Sequence, residues 1–172
     1  VMGLSYQDGA FVVTQQTEVT RITDENKDGR ADHFRTLSDT WGFRNYHEFA
    51  FGSKPDPEGN VWVALCLSKS YHSDVPFRGW CLKVTPDGKT LPVCSGIRSP
   101  CGIGPNEHGV MFYAESQGPW NGSCSLKVLE QGGFMGHPVS FKWYDLAKEM
   151  GEKPVEPNTR SRLLTERKRV KE

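Results

Sequence analysis

Side-chain oxygens recur at every second position in the segment TDENKDGRADHF. Asp24, Asn26 and Asp28 match positions 1, 3 and 5 of an EF-hand calcium loop, Gly29 matches position 6, and Asp32 matches position 9. Calcium prefers carboxylate, amide and carbonyl oxygens as ligands. This spacing therefore predicts a calcium site.

The remainder of the segment departs from an EF-hand. The Arg30 carbonyl stands at position 7, but position 12 is Arg35, which cannot bind a cation as the usual glutamate does. Strand-like sequences flank the loop where an EF-hand has helices. We expect an enlarged β-hairpin turn that calcium stiffens. The alternative is an acidic turn whose oxygens accept local amide N–H groups.

A histidine and an arginine precede two similar strands of the sequence. His47 lies in NYHEFAFG and Arg98 lies in SGIRSPCGIGP. Histidine exchanges protons near neutral pH, which suits a general base, and a fixed arginine stabilises negative charge. The alternative for His47 is a buried imidazole that bonds to a backbone carbonyl.

Two longer loops carry further candidate residues. The insertion SKSYHSDVPFRGW contains His72 and Arg78, which could hold an anionic cofactor or an oxygen-rich substrate. The alternative is that this insertion is an exposed polar loop. The segment AESQGPWNG supplies Glu115, Gln117 and Trp120 as candidate substrate contacts.

A repeating unit of short strands must position these loops. Similar β-rich runs begin near Phe11, Val61 and Val110, and each is followed by a second strand. A period of about 40–50 residues with several strands in each unit indicates a β-propeller, with a β-sandwich as the alternative. The predicted units within the partial propeller of residues 1–140 are 9–40, 45–96 and 97–140. Residues 141–172 are expected to form a connecting or inserted tail, partly helical.

The propeller arrangement brings two candidate residues together. Loops that lead into the innermost strands of a propeller line its central channel. His47 and Arg98 precede the innermost strands of consecutive units, so we expect both to face one channel. This convergence predicts the functional site.

The second unit also predicts a strand register. TPDGKT is a turn, and placing Thr85 opposite Thr90 puts Cys81 opposite Cys94. Facing cysteines could form a cross-strand disulfide, or they could stay reduced in adjacent strands.

The composition excludes several classes of protein. The 21 Lys and Arg residues balance the 21 Asp and Glu residues, which gives no indication of a nucleic-acid partner or an anionic membrane. No apolar run approaches the roughly 20 residues that span a bilayer. The five cysteines include no C-x-x-C pair, so neither a zinc site nor a c-type haem attachment is expected. We expect the sequence to be a piece of a longer protein.

Several motifs resemble those of glucose/sorbosone dehydrogenase-like propellers. They are HEFAFG with EGNVWVAL, LKVTPDGKT with SGIRSPCGIGP, FYAESQGPWN, and EQGGFMGHP. The resemblance covers about residues 9–145 and is closest to large secreted propeller proteins of planctomycete-type bacteria, often labelled membrane-bound dehydrogenase domains. It implies a six-bladed propeller, of which this chain would hold roughly three four-stranded blades. It also implies a secreted or periplasmic location.

The resemblance assigns roles to two residues. His47 matches the catalytic base of the sugar dehydrogenases, and Arg98 matches an arginine that contacts pyrroloquinoline quinone, a cofactor that some members use together with calcium. Cys101 departs from the family, which usually has Gly or Gln there.

The expected reaction is hydride transfer from a sugar or alcohol hydroxyl to the quinone, with a cytochrome c as a possible electron acceptor. The alternatives are a purely structural set of blades and a non-catalytic propeller that binds carbohydrate or protein. In that binding propeller the stacking surfaces would be Tyr71, Phe77, Trp80 and Trp120.

Overall fold

Short apolar or alternating runs form three consecutive antiparallel sheets in the computed structural model, which describes residues 1–69 and 71–157. Each sheet is one propeller blade, and its strands are lettered A to D from the innermost outward. Twelve strands and two 3-10 helices occur among the described residues. This confirms the predicted all-β propeller fragment with a short helical tail.

The first blade consists of four strands in the order of the chain. They are β1 (Gly3–Gln7), β2 (Ala10–Thr14), β3 (Val19–Thr23) and β4 (His33–Ser38). The blade begins before residue 9, because the repeat that is visible in the sequence starts with strand B.

The second blade repeats this plan and adds one strand. Its strands A to D are β5 (Ala50–Pro55), β6 (Val61–Leu65), β7 (Trp80–Val84) and β8 (Thr90–Ser95). The short strand β12 (Gly133–Phe134) returns later and pairs with β8 in parallel.

The third blade contributes three strands among the described residues. They are β9 (Pro100–Pro105), β10 (Met111–Glu115) and β11 (Ser125–Val128). After β12 come the 3-10 helices Pro138–Leu146 and Lys148–Met150. Residues 158–172, the end of the tail that is expected to be partly helical, lie outside the described residues.

The innermost strands of the three blades lie side by side, as they do around a propeller channel. β1 and β5 approach so closely that a Cβ on Gly3 would lie 2.2 Å from the Gly52 carbonyl oxygen. Glycine is therefore required at this contact. His47 and Arg98 each precede such a strand, β5 and β9. The first runs that the repeat marks in these units, near Val61 and Val110, are strands B and not the innermost strands.

The second blade contains the centre of the apolar core. Val63, Leu65 and Leu82 are fully buried, and Trp80 packs among them while its Nε1–H donates to the Ser140 carbonyl at 3.0 Å. Phe77 lies in the same cluster, with its ring edge against Trp80. The prediction of Phe77 and Trp80 as stacking surfaces for a ligand is therefore wrong, because both rings are buried in the core.

The cysteine pair of this blade is placed by an irregular register. Near the turn Val84 faces Thr90, one residue away from the predicted pairing of Thr85 with Thr90. A bulge between Cys81 and Leu82 then shifts the register, so Cys81 faces Cys94 as predicted. Both side chains are buried, and both are free thiols in the structure.

The strand order places the loops of each blade at two opposite ends of its sheet. Since neighbouring strands are antiparallel, the loop that leads into strand A and the B–C loop lie at the same end. We call this end the loop face; it carries residues 39–49, 66–79, 96–99 and 116–124. The A–B turns and the C–D turns, including residues 24–32, lie at the opposite end. Within the described residues, no helix is long and apolar enough to cross a membrane.

Candidate functional site

His47 is exposed on the loop face, in the loop that leads into the second blade. Its ring lies 4.0 Å from the ring of Tyr46, measured between centroids. Its backbone N–H donates to Asn45 Oδ1 at 2.9 Å, and its ring nitrogens make no hydrogen bond within the described part of the chain. The imidazole is therefore available for a hydrogen bond to a bound molecule.

Glu48 holds this loop in shape from inside. Its buried carboxylate accepts hydrogen bonds from the backbone N–H groups of Arg44 and Asn45 and from the Ser68 hydroxyl. Burial raises the pKa of Glu48, but these hydrogen bonds and the charge of Arg78 outweigh it, so the net pKa is lowered. The carboxylate is ionised at neutral pH and ties the loop to the neighbouring B–C loop.

Arg78 holds the same loop by donating hydrogen bonds to backbone carbonyls of the loop. The side chain is 0% exposed, and its guanidinium makes five hydrogen bonds, of 2.7 to 3.0 Å, to the carbonyls of Gln16, Gly42, Glu48 and Phe49. Burial lowers the pKa of Arg78 to about 10, so the group stays charged at neutral pH. Because every N–H of the fork is engaged, this geometry assigns Arg78 to loop support. Its predicted contact with a cofactor stays a prediction.

Arg98 has the corresponding place before the third blade but uses its guanidinium differently. The side chain is 8% exposed, and its Nη1 donates to the carbonyls of Ser116 at 3.2 Å and Gln117 at 2.7 Å. Its Nε is buried without a hydrogen-bond partner among the described residues. A Cβ on Gly118 would lie 2.1 Å from the guanidinium carbon, so a larger residue there would force the Arg98 side chain to move.

Glu115 supports the Arg98 loop from the end of strand B. Its buried carboxylate accepts the Ser99 N–H at 2.6 Å, the Arg98 N–H at 3.3 Å and the Tyr113 hydroxyl at 2.7 Å. Lys127 lies 3.9 Å away and completes an ion pair. The carboxylate is occupied by these groups, so the geometry assigns Glu115 to positioning, whereas its predicted contact with a substrate stays a prediction.

An open pocket of about 350 Å³ joins the loops of the second and third blades. It is lined by His47, Phe49, Cys66, Lys69 and Ser99. Burial raises the pKa of Cys66 to about 11, and the thiol donates weakly to the carbonyls of Leu67 and Arg98. Cys66 is therefore a neutral wall of the pocket rather than a nucleophile. The structure thus brings His47 together with Ser99, the neighbour of Arg98.

His137 also lies on the loop face, although the sequence did not indicate it as a site residue. The strand β12 runs parallel to β8 and carries His137 to the loop face, where its N–H donates to the Gly96 carbonyl at 3.0 Å. Its Nδ1 accepts the Val139 N–H at 3.3 Å, and its ring meets the Trp120 ring edge-on at 6.2 Å. The Gly-rich turn GGFMGHP was visible in the sequence, but the parallel pairing that positions it is not a local feature.

The remaining predicted contacts lie around the same region. Tyr71 is 54% exposed, and the Arg98 guanidinium lies 5.9 Å from its ring centroid. His72 and Gln117 are exposed, and Trp120 is half-buried with a positive φ of 64°. These side chains are accessible to a ligand on the loop face. Their binding roles stay predictions.

The calcium-type loop lies at the opposite end of the first blade. Asp24 accepts the Asp28 and Gly29 N–H groups, while Asp32 accepts those of Glu25 and Asn26. These contacts match the alternative of an acidic turn that satisfies local amides. Across residues 1–69 and 71–157, no group of three or more His, Cys, Asp and Glu side chains is placed to hold a metal ion. Calcium binding here stays a prediction.

Comparison with known proteins gives one family and two similar structures. The chain matches the model of the family described as "Domain of unknown function (DUF7133)" over residues 2–171. No curated protein matches it. Two solved structures, described as "glucose dehydrogenase" and "Crystal structure of glucose dehydrogenase", are each 18% identical with a TM-score of 0.46. The similarity covers 73% and 74% of this chain and 41% of each of theirs, so the chain spans less than half of their length. Because the family match extends over nearly the whole sequence, the chain belongs to the DUF7133 family.

Proposed function

We propose that the loop face is part of the active site of a quinone-dependent sugar or alcohol dehydrogenase. The observation that carries this proposal is the pocket shared by His47 of the second blade and Ser99 of the third, next to the buried Arg98. A concave pocket with a few convergent polar groups is the usual form of a small-molecule site. The substrate would be a sugar or an alcohol.

His47 would act as the general base. Its ring nitrogens are free of other hydrogen bonds in the described chain, and the ring borders the pocket. A hydroxyl within about 3 Å of the ring can transfer its proton to the imidazole as its carbon is oxidised to a carbonyl. Glu48 and Arg78 keep the backbone on both sides of His47 fixed, which maintains this geometry.

Arg98 would hold a negatively charged oxygen of the cofactor. Its buried Nε–H has no partner among the described residues, and a buried donor without an acceptor is unfavourable by about 1–3 kcal/mol. An anionic oxygen supplies the missing acceptor, so this residue fits a carboxylated quinone such as pyrroloquinoline quinone. When bound, the quinone supplies the acceptor for the hydride that leaves the carbinol carbon. The proposal includes a secreted or periplasmic location and a cytochrome c as the downstream acceptor.

The test is dye reduction by the full-length protein with calcium, pyrroloquinoline quinone and a panel of sugars. We expect turnover that falls by about 100-fold or more in His47→Ala, because general-base catalysis contributes on that scale. The matched control is His108→Ala, since His108 is an exposed histidine in a turn at the opposite end. Equal loss in both variants, or no turnover by the wild-type protein, would contradict the proposal.

A specific observation supports the alternative of carbohydrate binding without catalysis. The ring of Tyr71 is exposed beside Arg98 and near the other loops of the face, where a sugar ring can stack. Carbohydrate binding that is lost in Tyr71→Ala, together with no dye reduction, would favour this alternative.

A further inference from the structure

Lys69 lines the same loop-face pocket as His47, and the proposed function gives it no role. The other lining residues are Phe49, Cys66 and Ser99, so no carboxylate of a described residue lines the pocket. Lysine carries a positive charge at neutral pH, whereas the Cys66 thiol is neutral because burial raises its pKa to about 11. The pocket therefore presents an imidazole and an ammonium group to the same bound molecule.

A hydrogen-bonded turn fixes the backbone of Lys69. The Ser68 N–H donates to the His72 carbonyl at 2.8 Å, and the His72 N–H donates to the Ser68 carbonyl at 3.0 Å. Within this turn Lys69 has a positive φ of 48°, a left-handed conformation that is uncommon for residues other than glycine. Such a conformation persists where the surrounding contacts hold it, and it is frequent at ligand-binding sites. The point from which the lysine side chain leaves the backbone is therefore fixed.

Glu48 ties this turn to the loop that carries His47. Its carboxylate accepts the Ser68 hydroxyl hydrogen bond on one side and the Asn45 N–H, at 3.0 Å, on the other. Glu48 is 0% exposed and Ser68 is 1% exposed, so water does not compete for these bonds. The backbones of His47 and Lys69 are therefore held in a constant relation, as a site with two separate contacts requires.

The ammonium group of Lys69 is available to a ligand. Ion pairs within residues 1–69 and 71–157 involve His33, His108 and Lys127, and Lys69 belongs to none of them. The Lys69 side chain is exposed at the pocket. An ammonium group gains more from an anion than from a neutral oxygen, because hydrogen bonds between ionised groups are roughly twice as strong as neutral ones.

The size and the wall of the pocket suit a single sugar unit. The volume of about 350 Å³ lies near the lower end of the roughly 300–1,000 Å³ range of ligand pockets. Phe49 is 37% exposed, and its ring offers an apolar surface to the C–H face of a sugar.

We propose that Lys69 is a specificity-determining residue that selects anionic sugars at this pocket. The charged group of the sugar lies at Lys69 while one of its hydroxyls lies at His47. Because an ammonium group is a point charge without the planar fork of arginine, it accepts either a carboxylate or a phosphate ester. This inference rests on the proposed function, since it names the class of substrate whose hydroxyl His47 would deprotonate.

The test measures dye reduction by the full-length protein with calcium and pyrroloquinoline quinone, using glucose, glucuronate and glucose 6-phosphate as substrates. These sugars differ only at carbon 6, so a preference among them reports the charge. We expect kcat/KM of the wild-type protein to be at least about tenfold higher for one anionic sugar than for glucose. Preference for glucuronate alone identifies a carboxylate, and preference for glucose 6-phosphate alone identifies a phosphate ester. Equal kcat/KM values for all three sugars would overturn the inference.

Two substitutions of Lys69 separate its charge from its shape. Lys69→Met should raise KM for the preferred anionic sugar about tenfold, while kcat and the KM for glucose stay within about twofold of wild type. Lys69→Arg keeps the charge and should stay within about threefold for every sugar. The matched control is Lys89→Met, which removes an exposed lysine from the turn between β7 and β8 at the opposite end and should change neither constant. An equal rise in KM for all three sugars in Lys69→Met would show that Lys69 does not determine specificity.

A binding measurement separates failure of this inference from failure of the proposed function. Calorimetry with the same sugars, and with pyrroloquinoline quinone as a separate probe, requires no turnover. Anionic-sugar binding that is lost in Lys69→Met, without any dye reduction, would retain the role of Lys69 and reject the dehydrogenase. Dye reduction that depends on His47 but shows no preference for an anionic sugar would retain the dehydrogenase and reject the role of Lys69. Weaker binding of the quinone alone in Lys69→Met would assign Lys69 to the cofactor and overturn the inference.

Discussion

Arg78, within the second blade, and Arg98, before the third blade, use their guanidinium groups in opposite ways. Arg78 directs all five of its guanidinium hydrogen bonds at backbone carbonyls, three of which belong to the loop that carries His47. Arg98 directs Nη1 at two carbonyls and leaves Nε buried without a partner in the described chain. The first is a saturated support for a loop, and the second retains capacity for a ligand.

A buried cation at a candidate site can serve either the fold or a ligand. A positive charge near a pocket is weak support for ligand binding if the backbone already satisfies its donors. An unsatisfied donor on a fixed side chain is stronger support, because burial without an acceptor is unfavourable and a bound ligand relieves it. By this criterion Arg98 is the binding candidate and Arg78 is not.

The largest expected effect is on stability, from the saturated arginine. Arg78→Met would leave the carbonyls of Gly42 and Glu48 without a donor among the described residues. The Gln16 and Phe49 carbonyls would each lose one of two donors. We expect the free energy of unfolding to fall by about 3–5 kcal/mol, measured by urea denaturation. Arg98→Met should lower it by only about 1 kcal/mol, because that side chain makes fewer hydrogen bonds. Equal losses in the two variants would remove the distinction between them.

A pH dependence also distinguishes the two arginines, because the charge of Arg98 acts on His137. Burial and the charge of Arg98 lower the pKa of His137 to about 4 from the ordinary 6.5. As the pH falls from about 6.5 to about 4, the unfolded chain binds a proton that the native protein does not. The free energy of unfolding should therefore decrease by on the order of 3 kcal/mol over that range. Above about pH 6.5 His137 is neutral in both states and causes no loss of stability.

Urea denaturation at several values between about pH 7 and pH 4.5 measures this dependence. The matched variant His137→Asn removes the titrating group and retains the acceptor for Val139. Its stability should be less sensitive to pH than that of the wild-type protein. Parallel pH profiles for the two proteins would show that His137 is not the titrating group.

A smaller effect on stability is expected from a glycine that contacts Arg98. In Gly118→Ala the new Cβ would overlap the guanidinium, which must move since it is the flexible end of a side chain. We expect a loss of stability below about 1 kcal/mol but a loss of cofactor binding of about tenfold, because the guanidinium is displaced. The control is Gly104→Ala, where no atom lies within 4 Å of the added carbon. If Gly118→Ala bound the ligand normally, the fixed position of Arg98 would not matter.

The smallest expected effect concerns the end of the molecule opposite the loop face. We propose that the turn of Asp24, Asn26, Asp28 and Asp32 binds calcium weakly, with a dissociation constant near the millimolar range of extracellular sites. Calcium at a concentration equal to that constant would then stabilise the protein by about 0.4 kcal/mol. A melting curve with about 1 mM calcium, compared with a chelator, measures this, and Asp24→Asn should abolish the difference. No difference in the wild-type protein would show that local amides alone satisfy these oxygens.

Local patterns in the sequence predict much of the fold. Strand periodicity and the turn TPDGKT indicate the repeating blades, and the positions of His47 and Arg98 before equivalent strands follow from that repeat. The first strand, GLSYQ, was not recognised, because the visible repeat begins with strand B. The predicted pairing of Thr85 with Thr90 is wrong by one residue, because the Thr85 N–H bonds to the Lys89 carbonyl across a tighter turn. The bulge next to Cys81 then restores the predicted pairing of Cys81 with Cys94.

The sequence alone established the all-β repeat, the balanced charge and the two residue positions that lead into neighbouring blades. These features depend on alternation, turn residues and spacing, which act over a few residues of chain. Contacts between distant segments show which arginine is saturated and that His137 lies on the loop face. Arg78 bonds to a carbonyl 62 residues away, and β12 pairs with a strand of the previous blade, so neither relation has a local signal.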